Sequence, residues 1–201
     1  MNDQINTLQL VSGKRYKRLV IKDSNEKLEN LQLTTGIVYL PFGVSNFTNK
    51  WSEFCDYSIS CYVEPEFETI CDTIDNIIQE NIAKDNKYYP ALRVNKDYPK
   101  LFKINLPRDK NGNFDFVVFD SDGETKNQVT EDNIEQVFGK RNRFKCLIEC
   151  TRVYEQNGSA GSVWSLLYCK KVQGEQEIDN LIYEDATKTS TKDLYTTCQL
   201  D

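Results

Sequence analysis

The sequence predicts a mainly β protein, folded as a compact barrel or sandwich with one or two inserted helices. Two observations lead to this class. At least six short apolar or alternating segments are separated by turn signals, and one long segment, residues 65–84, changes to the three- and four-residue spacing of a helix. With 201 residues, of which 39% are hydrophobic, the chain can bury one core.

The first part of the chain carries three predicted strands, at 17–23, 36–44 and 54–63. In the second of these, Pro41 and Gly43 indicate an edge or a bend. The third alternates strictly, which is typical of a half-buried strand: one face carries Cys55, Tyr57, Ile59, Cys61 and Val63, and the other carries Asp56, Ser58 and Ser60.

The helical segment has favourable ends. Pro65 stands at its start, Glu66 and Glu68 lie in the first turn, and Lys84 follows its end. We interpret its apolar stripe as part of the core. The alternative is that the stripe docks in a groove of a partner. The stripe consists of Phe67, Ile70, Cys71, Ile74, Ile77, Ile78 and Ile82.

The second half predicts strands at 101–106 and 114–119, joined by a turn that contains Asn111-Gly112. A turn at 120–123 follows, and then a short helix between Thr130, its N-cap, and Gly139. Strands at 144–154 and 163–172 form a long hairpin with a flexible tip at 156–161. We divide the chain into a loose segment, 1–16, a barrel domain, 17–174, and an acidic tail, 175–201.

Composition argues against several function classes. The chain has no histidine, which removes His-dependent triads and His-containing zinc sites. Its seven cysteines have irregular spacings, and no secretory signal is recognisable, so we expect reduced thiols in the cytosol or nucleus. No apolar run approaches the roughly 18–20 residues of a membrane span. We expect a protein that is not an enzyme.

Two polar clusters suggest metal binding without matching a metal motif. Asp109, Asn111 and Asn113 resemble the start of a calcium loop, but Phe114 replaces the required glycine, so we interpret the run as a hairpin turn. The carboxylates after residue 119, Asp120, Asp122 and Glu124, are too few for a phosphoryl-transfer site. We therefore predict no catalytic residue, no metal and no cofactor.

Charge is distributed unevenly. Residues 175–201 hold seven carboxylates and two lysines, a net charge of −5, whereas residues 14–18 and 140–145 are basic runs without an acid. This pattern predicts that the main part of the chain binds a polyanion and that the acidic tail acts as a mimic of that polyanion. A solubilising tail and solvated basic loops are the alternative.

Aromatic and basic residues are interleaved, as single-stranded nucleic acid requires, because bases stack on rings while cations neutralise phosphates. The alternative is that the rings fill a small core. The predicted nucleic-acid contacts are Lys14, Arg15, Lys17, Arg18, Trp51, Tyr88, Tyr89, Arg93, Lys100, Lys103, Lys140, Arg141, Arg143, Lys145 and Trp164.

Four short segments within residues 88–172 resemble the single-stranded-DNA-binding proteins of nucleocytoplasmic large DNA viruses, which are similar in turn to phage single-strand-binding proteins. The segments are Tyr88-Tyr89-Pro90, the run from Leu106-Pro107 to Asn111-Gly112-Asn113, Phe119-Asp120-Ser121-Asp122-Gly123 and Val163-Trp164-Ser165-Leu166. The resemblance implies an OB-like barrel, binding of single-stranded DNA during replication, and a tail that contacts replication proteins or covers the groove. In the phage proteins the tail ends on an aromatic residue, whereas here the last ring is Tyr195, so tail docking is in question.

The functional hypothesis is therefore a non-enzymatic protein that binds single-stranded DNA without sequence preference, in the cytoplasm or nucleus of an infected host. Its expected partners are the nucleic acid and, through the tail, replication proteins, with no membrane; a homodimer is left open. The alternative function is a viral structural or protein-interaction component that uses the same sheet to bind proteins.

Overall fold

The computed structural model describes residues 8–13, 16–22, 27–48, 54–95 and 98–173. Within these ranges the chain is mainly β with two helices, as predicted. The strands are β1 (Gln9–Ser12), β2 (Lys17–Lys22), β3 (Leu28–Asn30), β4 (Gln32–Tyr39), β5 (Val44–Thr48), β6 (Cys55–Cys61), β7 (Lys87–Tyr89), β8 (Leu92–Asn95), β9 (Tyr98–Leu106), β10 (Val117–Phe119), β11 (Lys126–Asn127), β12 (Arg143–Gln156) and β13 (Ser159–Lys171); the helices are α1 (Pro65–Glu80) and α2 (Ile134–Val137).

Five strands close into a ring. β4 pairs with β12, β12 with β13, β13 with β9, and β9 with β6. An antiparallel bridge between Tyr39 and Tyr62 then joins the end of β4 to the residue after β6. The β13–β9 pair is parallel and the other pairs of the ring are antiparallel. A five-stranded closed barrel with long-range connections is the OB-like architecture that the resemblance implied.

Helix α1 covers one side of this ring. Its apolar stripe is buried, and Phe67 meets Phe102 of β9 edge-on, with ring centroids 5.3 Å apart. Burying each of these side chains stabilises the fold by about 1.5–3 kcal/mol. The interpretation of the stripe as core is confirmed. Pro65 begins the helix as predicted, because its missing N–H has no intrahelical partner at that position.

Several boundaries differ from the sequence prediction. The strand predicted at 36–44 ends at Tyr39, and a turn that includes Pro41 and Gly43, with φ of 75° at the glycine, leads into β5. Within the segment predicted to be loose, β1 pairs with β2. The predicted hairpin is present, but its connection is shorter than the tip expected at 156–161: β12 and β13 are joined by only Asn157 and Gly158, both at positive φ, which is the Asn-Gly hairpin turn. The acidic tail, 175–201, lies outside the described residues.

No helix among the described residues is long and apolar enough to cross a membrane. In the same part of the chain, no group of three or more Cys, Asp or Glu side chains is placed to hold a metal ion. The six cysteines that the structure describes are free thiols, and burial raises the pKa of Cys150 to about 12. Five of them, all except the partly exposed Cys55, are buried and pack as small apolar side chains.

Candidate nucleic-acid interface

Two tyrosines stack at the closure of the ring. Tyr39 and Tyr62 are bridge partners, and their rings lie 6.0 Å apart with an angle of 15° between their planes. Both are partly exposed. On the other side of β4, Arg143 of β12 is the register partner of Tyr39, so the two side chains are direct neighbours on one face of the sheet. This arrangement places two flat rings beside a guanidinium on the outer face.

The same face continues across β6, β9 and β8. Cys61 pairs with the buried Phe102, so the next position of the ladder places Tyr62 beside Leu101. Leu101 in turn pairs with the exposed Arg93 of β8. The outward position two residues further along β9 is Lys103. Across the strands, the outward positions are therefore Arg143, Tyr39, Tyr62, Leu101 and Arg93, so that two neighbouring rings and a leucine lie between two arginines.

Lys103 reaches across the sheet to β5. Its ammonium lies 5.0 Å from the centroid of the Phe47 ring, and Phe47 is 46% exposed. A cation at this distance from a ring face is attracted by the quadrupole of the ring. The pair therefore presents a ring and a positive charge together at the surface.

These side chains form one surface, which we call the outer strip. Its strands are about 4.8 Å apart, so the path from β12 to β8 is roughly 20 Å wide. The strip consists of Arg143 and Lys145 on β12, Tyr39 on β4, Tyr62 after β6, Lys103 on β9, Arg93 on β8 and Phe47 on β5.

Charge on the outer strip is mixed, with an excess of cations. Burial of its side chain lowers the pKa of Lys103, as does the nearby charge of Arg93, and Asp56 acts in the opposite direction. At the other end, burial raises the pKa of Glu64, whose carboxylate accepts a hydrogen bond from the Ile37 N–H at 3.3 Å. Four cations of the outer strip therefore face two carboxylates.

The structure divides the predicted contact residues. Arg93, Lys103, Arg143 and Lys145 come together in the outer strip. Lys140 and Arg141 are exposed in the turn that follows α2, next to the strip, where the Arg141 N–H donates to the Leu40 carbonyl. Lys14, Arg15 and Trp51 lie outside the described residues.

Two predicted aromatic contacts are corrected. Trp164 is 2% exposed, packs against Phe102, and donates its Nε1–H to the Ser162 hydroxyl at 2.9 Å, so no base can reach its ring. Tyr88 packs against the core and donates its hydroxyl to Asp75 at 2.5 Å. Trp164 thus belongs to the interior, and Tyr88 is partly buried with its hydroxyl held by Asp75.

The remaining predicted contacts lie outside the strip. The Lys100 ammonium pairs with Glu68 of α1 at 3.0 Å, and the Lys17 ammonium pairs with Glu155 of β12 at 2.8 Å. The guanidinium of Arg18 donates to the Asn30 side chain. Tyr89 is exposed on β7, with the Lys87 ammonium 5.1 Å from its ring centroid. Tyr89 and Lys87 thus form a ring–cation pair that is separate from the outer strip.

The sequence reasoning missed Tyr39, Tyr62 and Phe47 as site residues. One available signal was the alternation of residues 54–63: with Cys61 and Ile59 on the inner face, Tyr62 had to point outward with Ser60. Tyr39 and Phe47 had no comparable signal, because the register of β4 against β12 shifts at Gly36, which has φ of 69°, and the pairing of β5 is known only from the fold.

No family model matches the sequence. A curated relative, an uncharacterised protein of Acanthamoeba polyphaga mimivirus, is 27% identical over 165 residues, which cover 73% of this chain and 27% of the relative. The chain thus spans about a quarter of the length of that relative.

Solved structures with similarity to this chain include two phage proteins. The single-stranded DNA binding protein gp2.5 of bacteriophage T7 matches with a TM-score of 0.49 and 14% identity, over 82% of this chain and 100% of that one. The single-stranded DNA-binding protein of bacteriophage Enc34, in complex with single-stranded DNA, matches with a TM-score of 0.46 and 12% identity, over 84% of this chain and 97% of that one.

Proposed function

We propose that this protein binds single-stranded DNA without sequence preference on the outer strip, and that it does so without catalysis. One observation carries the proposal. The stacked Tyr39 and Tyr62 lie between Arg143 and Arg93 on one face of a closed barrel, and Lys103 and Phe47 add a ring–cation pair on the same face.

The chemistry of the outer strip suits an unpaired strand. Each base has a flat face that stacks on a ring for about 1–3 kcal/mol whatever its sequence, and each phosphate gains from a nearby cation. Bases in a duplex are already stacked on one another and cannot offer these faces. In five-stranded barrels of this kind, the second and third strands, here β6 and β9, form the usual oligonucleotide face.

We further propose a role in viral DNA replication, with replication proteins as partners of the acidic tail, in the host cytoplasm or nucleus. The resemblance to proteins of large DNA viruses and the mimivirus relative support a viral setting. The net charge of −5 on residues 175–201 supports a tail that competes for cations or binds a basic partner.

The test is fluorescence anisotropy with labelled oligo-dT and with a duplex of equal length, at several salt concentrations. We expect tighter binding to oligo-dT. Because four cations line the outer strip, the slope of log K against log salt should be on the order of −3, at about −0.7 for each phosphate neutralised on a single strand. If micromolar protein fails to bind oligo-dT at low salt, the proposed function is wrong.

A second candidate function, binding of a protein partner in a structural or interaction role, is favoured by exposed apolar side chains at the end of β4. Ile37 is 40% and Phe42 is 46% exposed. Such side chains contribute to protein interfaces and gain little from phosphate. A chain that does not bind oligo-dT at any salt concentration would favour this function.

A further inference from the structure

A pocket of about 580 Å³ opens at the end of the barrel where β9 stops, outside the outer strip. Three rings contribute to its walls, those of Phe54, Phe114 and Phe116, and the segment that contains β11 forms the opposite rim. The volume is within the range of small-molecule sites, about 300–1,000 Å³. Nothing in the proposed function uses this pocket.

Arg108 forms a rigid cationic wall of the pocket. Its guanidinium lies 4.4 Å from the ring centroid of Phe114 and 5.1 Å from that of Tyr57. It donates hydrogen bonds to the Gly112 carbonyl and to the Glu131 carboxylate, while its Nε is buried without a hydrogen-bond partner. A planar group held against rings in this way presents a fixed shape and a positive charge.

The rim of the pocket is polar. Gln128 and Lys126 are exposed and line the opening, and the side chain of Asn127 is held by a hydrogen bond from its Nδ2 to Asp120 at 2.8 Å. Amide side chains offer both donors and acceptors, and the lysine offers a positive charge. The pocket thus combines flat apolar walls, hydrogen-bonding edges and two cations, of which Arg108 is paired with the Glu131 carboxylate and Lys126 lies at the rim.

These features match one ligand chemistry. A nucleobase has flat apolar faces for the rings, and its edge carries donors and acceptors for the amides, while the attached phosphate needs a cation such as Lys126. A purely apolar ligand would leave the amides without partners, and an acidic peptide would gain nothing from the three rings.

The pocket is close to the outer strip. Phe54 directly precedes β6, and Asp56, two residues later, is the register partner of Phe47. At about 3.4 Å per residue, this places the Phe54 backbone roughly 7 Å along the strand from the position opposite Phe47. One nucleotide of a strand on the outer strip can therefore turn aside into the pocket.

We propose that the pocket between Phe54, Phe114 and Arg108 binds a single nucleobase, which is supplied by the strand that lies on the outer strip. The strand as the source rests on the proposed function, whereas the chemistry of the pocket does not. The pocket would give this protein a base preference at one position of an otherwise sequence-independent path.

The first experiment titrates the full chain with dTMP and dAMP, monitored by amide NMR, with ribose 5-phosphate as the probe that lacks a base. We expect saturable shifts in residues 112–116 and 126–130 with the nucleotides, and with ribose 5-phosphate only smaller shifts close to Lys126. Equal shifts with ribose 5-phosphate, or no shifts in these segments at millimolar nucleotide, would overturn the proposal.

Variants at the rim test the same pocket without disturbing the core. Lys126→Ala with Gln128→Ala should weaken dTMP binding about tenfold, through lost hydrogen bonds and charge. The matched control is Lys110→Ala with Gln136→Ala, two exposed residues outside the pocket lining. Equal losses in both double variants would overturn the proposal.

A blocking variant supplies a second, independent test. A Cβ at Gly112 would lie 2.5 Å from Cε1 of Phe54, and Gly112 has φ of 85°, so Gly112→Ala must displace the Phe54 ring. In a variant that stays folded by circular dichroism, dTMP binding should fall at least as far as in the rim variant. Retained wild-type affinity would overturn the proposal.

The oligo-dT affinity of the rim variant and of its control shows whether the base in the pocket comes from the bound strand. If the base comes from the strand, the rim variant should bind oligo-dT more weakly than its control does. Unchanged oligo-dT affinity beside weakened dTMP binding would overturn the strand as the source. The failure of the proposed function looks different: oligo-dT would not bind at all, while dTMP would still shift the pocket amides.

Discussion

At the residue scale, the outer strip depends on which side chains are left exposed beside a cation. Lys103 illustrates the point, since its stem is partly buried while its ammonium lies over the exposed ring of Phe47. Trp164 illustrates the opposite case, because the larger ring is buried against Phe102. The size of a ring therefore says less about nucleic-acid binding than its position relative to the core does.

The stacked tyrosines should carry much of the affinity. Tyr39→Ala and Tyr62→Ala should each weaken oligo-dT binding by about 5- to 150-fold, which corresponds to the roughly 1–3 kcal/mol of one stacked base. The measurement is anisotropy at one fixed salt concentration. The control is Tyr168→Ala, an exposed tyrosine on β13. A loss in the control as large as in Tyr62→Ala would place the binding face elsewhere.

A second residue-scale prediction concerns Asp75, which is 3% exposed and accepts hydrogen bonds from the Tyr88 hydroxyl at 2.5 Å and the Ala91 N–H at 3.0 Å. Burial raises the pKa of Asp75, against the effect of these bonds. The folded state therefore binds a proton more readily than the unfolded state, and this group's contribution to stability falls as pH rises between the two pKa values.

Urea unfolding between pH 3 and pH 7, in roughly one-unit steps, measures this effect by comparison with Asp75→Asn, which cannot titrate. The free energy of unfolding of the wild type, relative to the variant, should rise as pH falls through the raised pKa. A difference that stays constant over this range, or that falls on acidification, would contradict the buried carboxyl as the cause.

At the element scale, β12 joins the basic run to the rings. Its first residues, Arg143 and Lys145, pair with Tyr39 and Ile37 of β4, so the strand rather than the preceding turn places these cations on the outer strip. Lys140 and Arg141 belong to the turn, where Arg141 has φ of 68°. The basic run at 140–145 is thus divided: Lys140 and Arg141 lie in the turn, whereas Arg143 and Lys145 lie on β12.

Removing the two strand cations should therefore change the salt dependence. Arg143→Ala with Lys145→Ala should weaken oligo-dT binding and make the slope of log K against log salt shallower by about 1 to 2, because each phosphate contact contributes about 0.7. The melting temperature should change little. The comparison is Lys140→Ala with Arg141→Asn, which removes the same charge from the turn and keeps a residue that tolerates positive φ.

The slope change in the turn variant should be the smaller of the two. Equal slope changes in both variants would mean that only the total charge matters and that the strand position does not.

At the scale of the whole molecule, the charge is split between residues 1–174 and the acidic residues 175–201. Residues 175–201 carry −5 and are linked to a domain whose outer strip has an excess of cations. A tethered polyanion competes with phosphate at an effective concentration on the order of millimolar for a short flexible link.

Deleting residues 175–201 should therefore tighten oligo-dT binding, most strongly at low salt, where screening is weakest. The measurement is the dissociation constant of the full chain and of the 1–174 truncation at low and high salt, with circular dichroism to show that the truncation is folded. Equal constants at both salt concentrations would leave the tail as a solubility or partner-binding segment.

The local sequence pattern alone predicted those helices and strands whose apolar and polar residues follow a clear period. The spacing of Phe67, Ile70 and Ile74 predicted α1 and its buried side, and the alternation from Cys55 to Cys61 predicted β6 and its inner face. Asn157-Gly158 carried a turn signal that was overlooked, although its physical basis is local. In each of these cases the deciding interactions lie within a few residues.

The outer strip depends on the closed ring. Tyr39 and Tyr62 become neighbours only because β4 and β6 meet at the closure, and Lys103 meets Phe47 only because β9 and β5 flank β6. Trp164 is buried because its position on β13 lies on the core face, opposite the buried Cys150 of β12. A period of two residues separates the two faces of a strand. The pairing of distant strands decides which face is inside and which side chains become neighbours outside. Only the tertiary structure could therefore show which side chains form the outer strip.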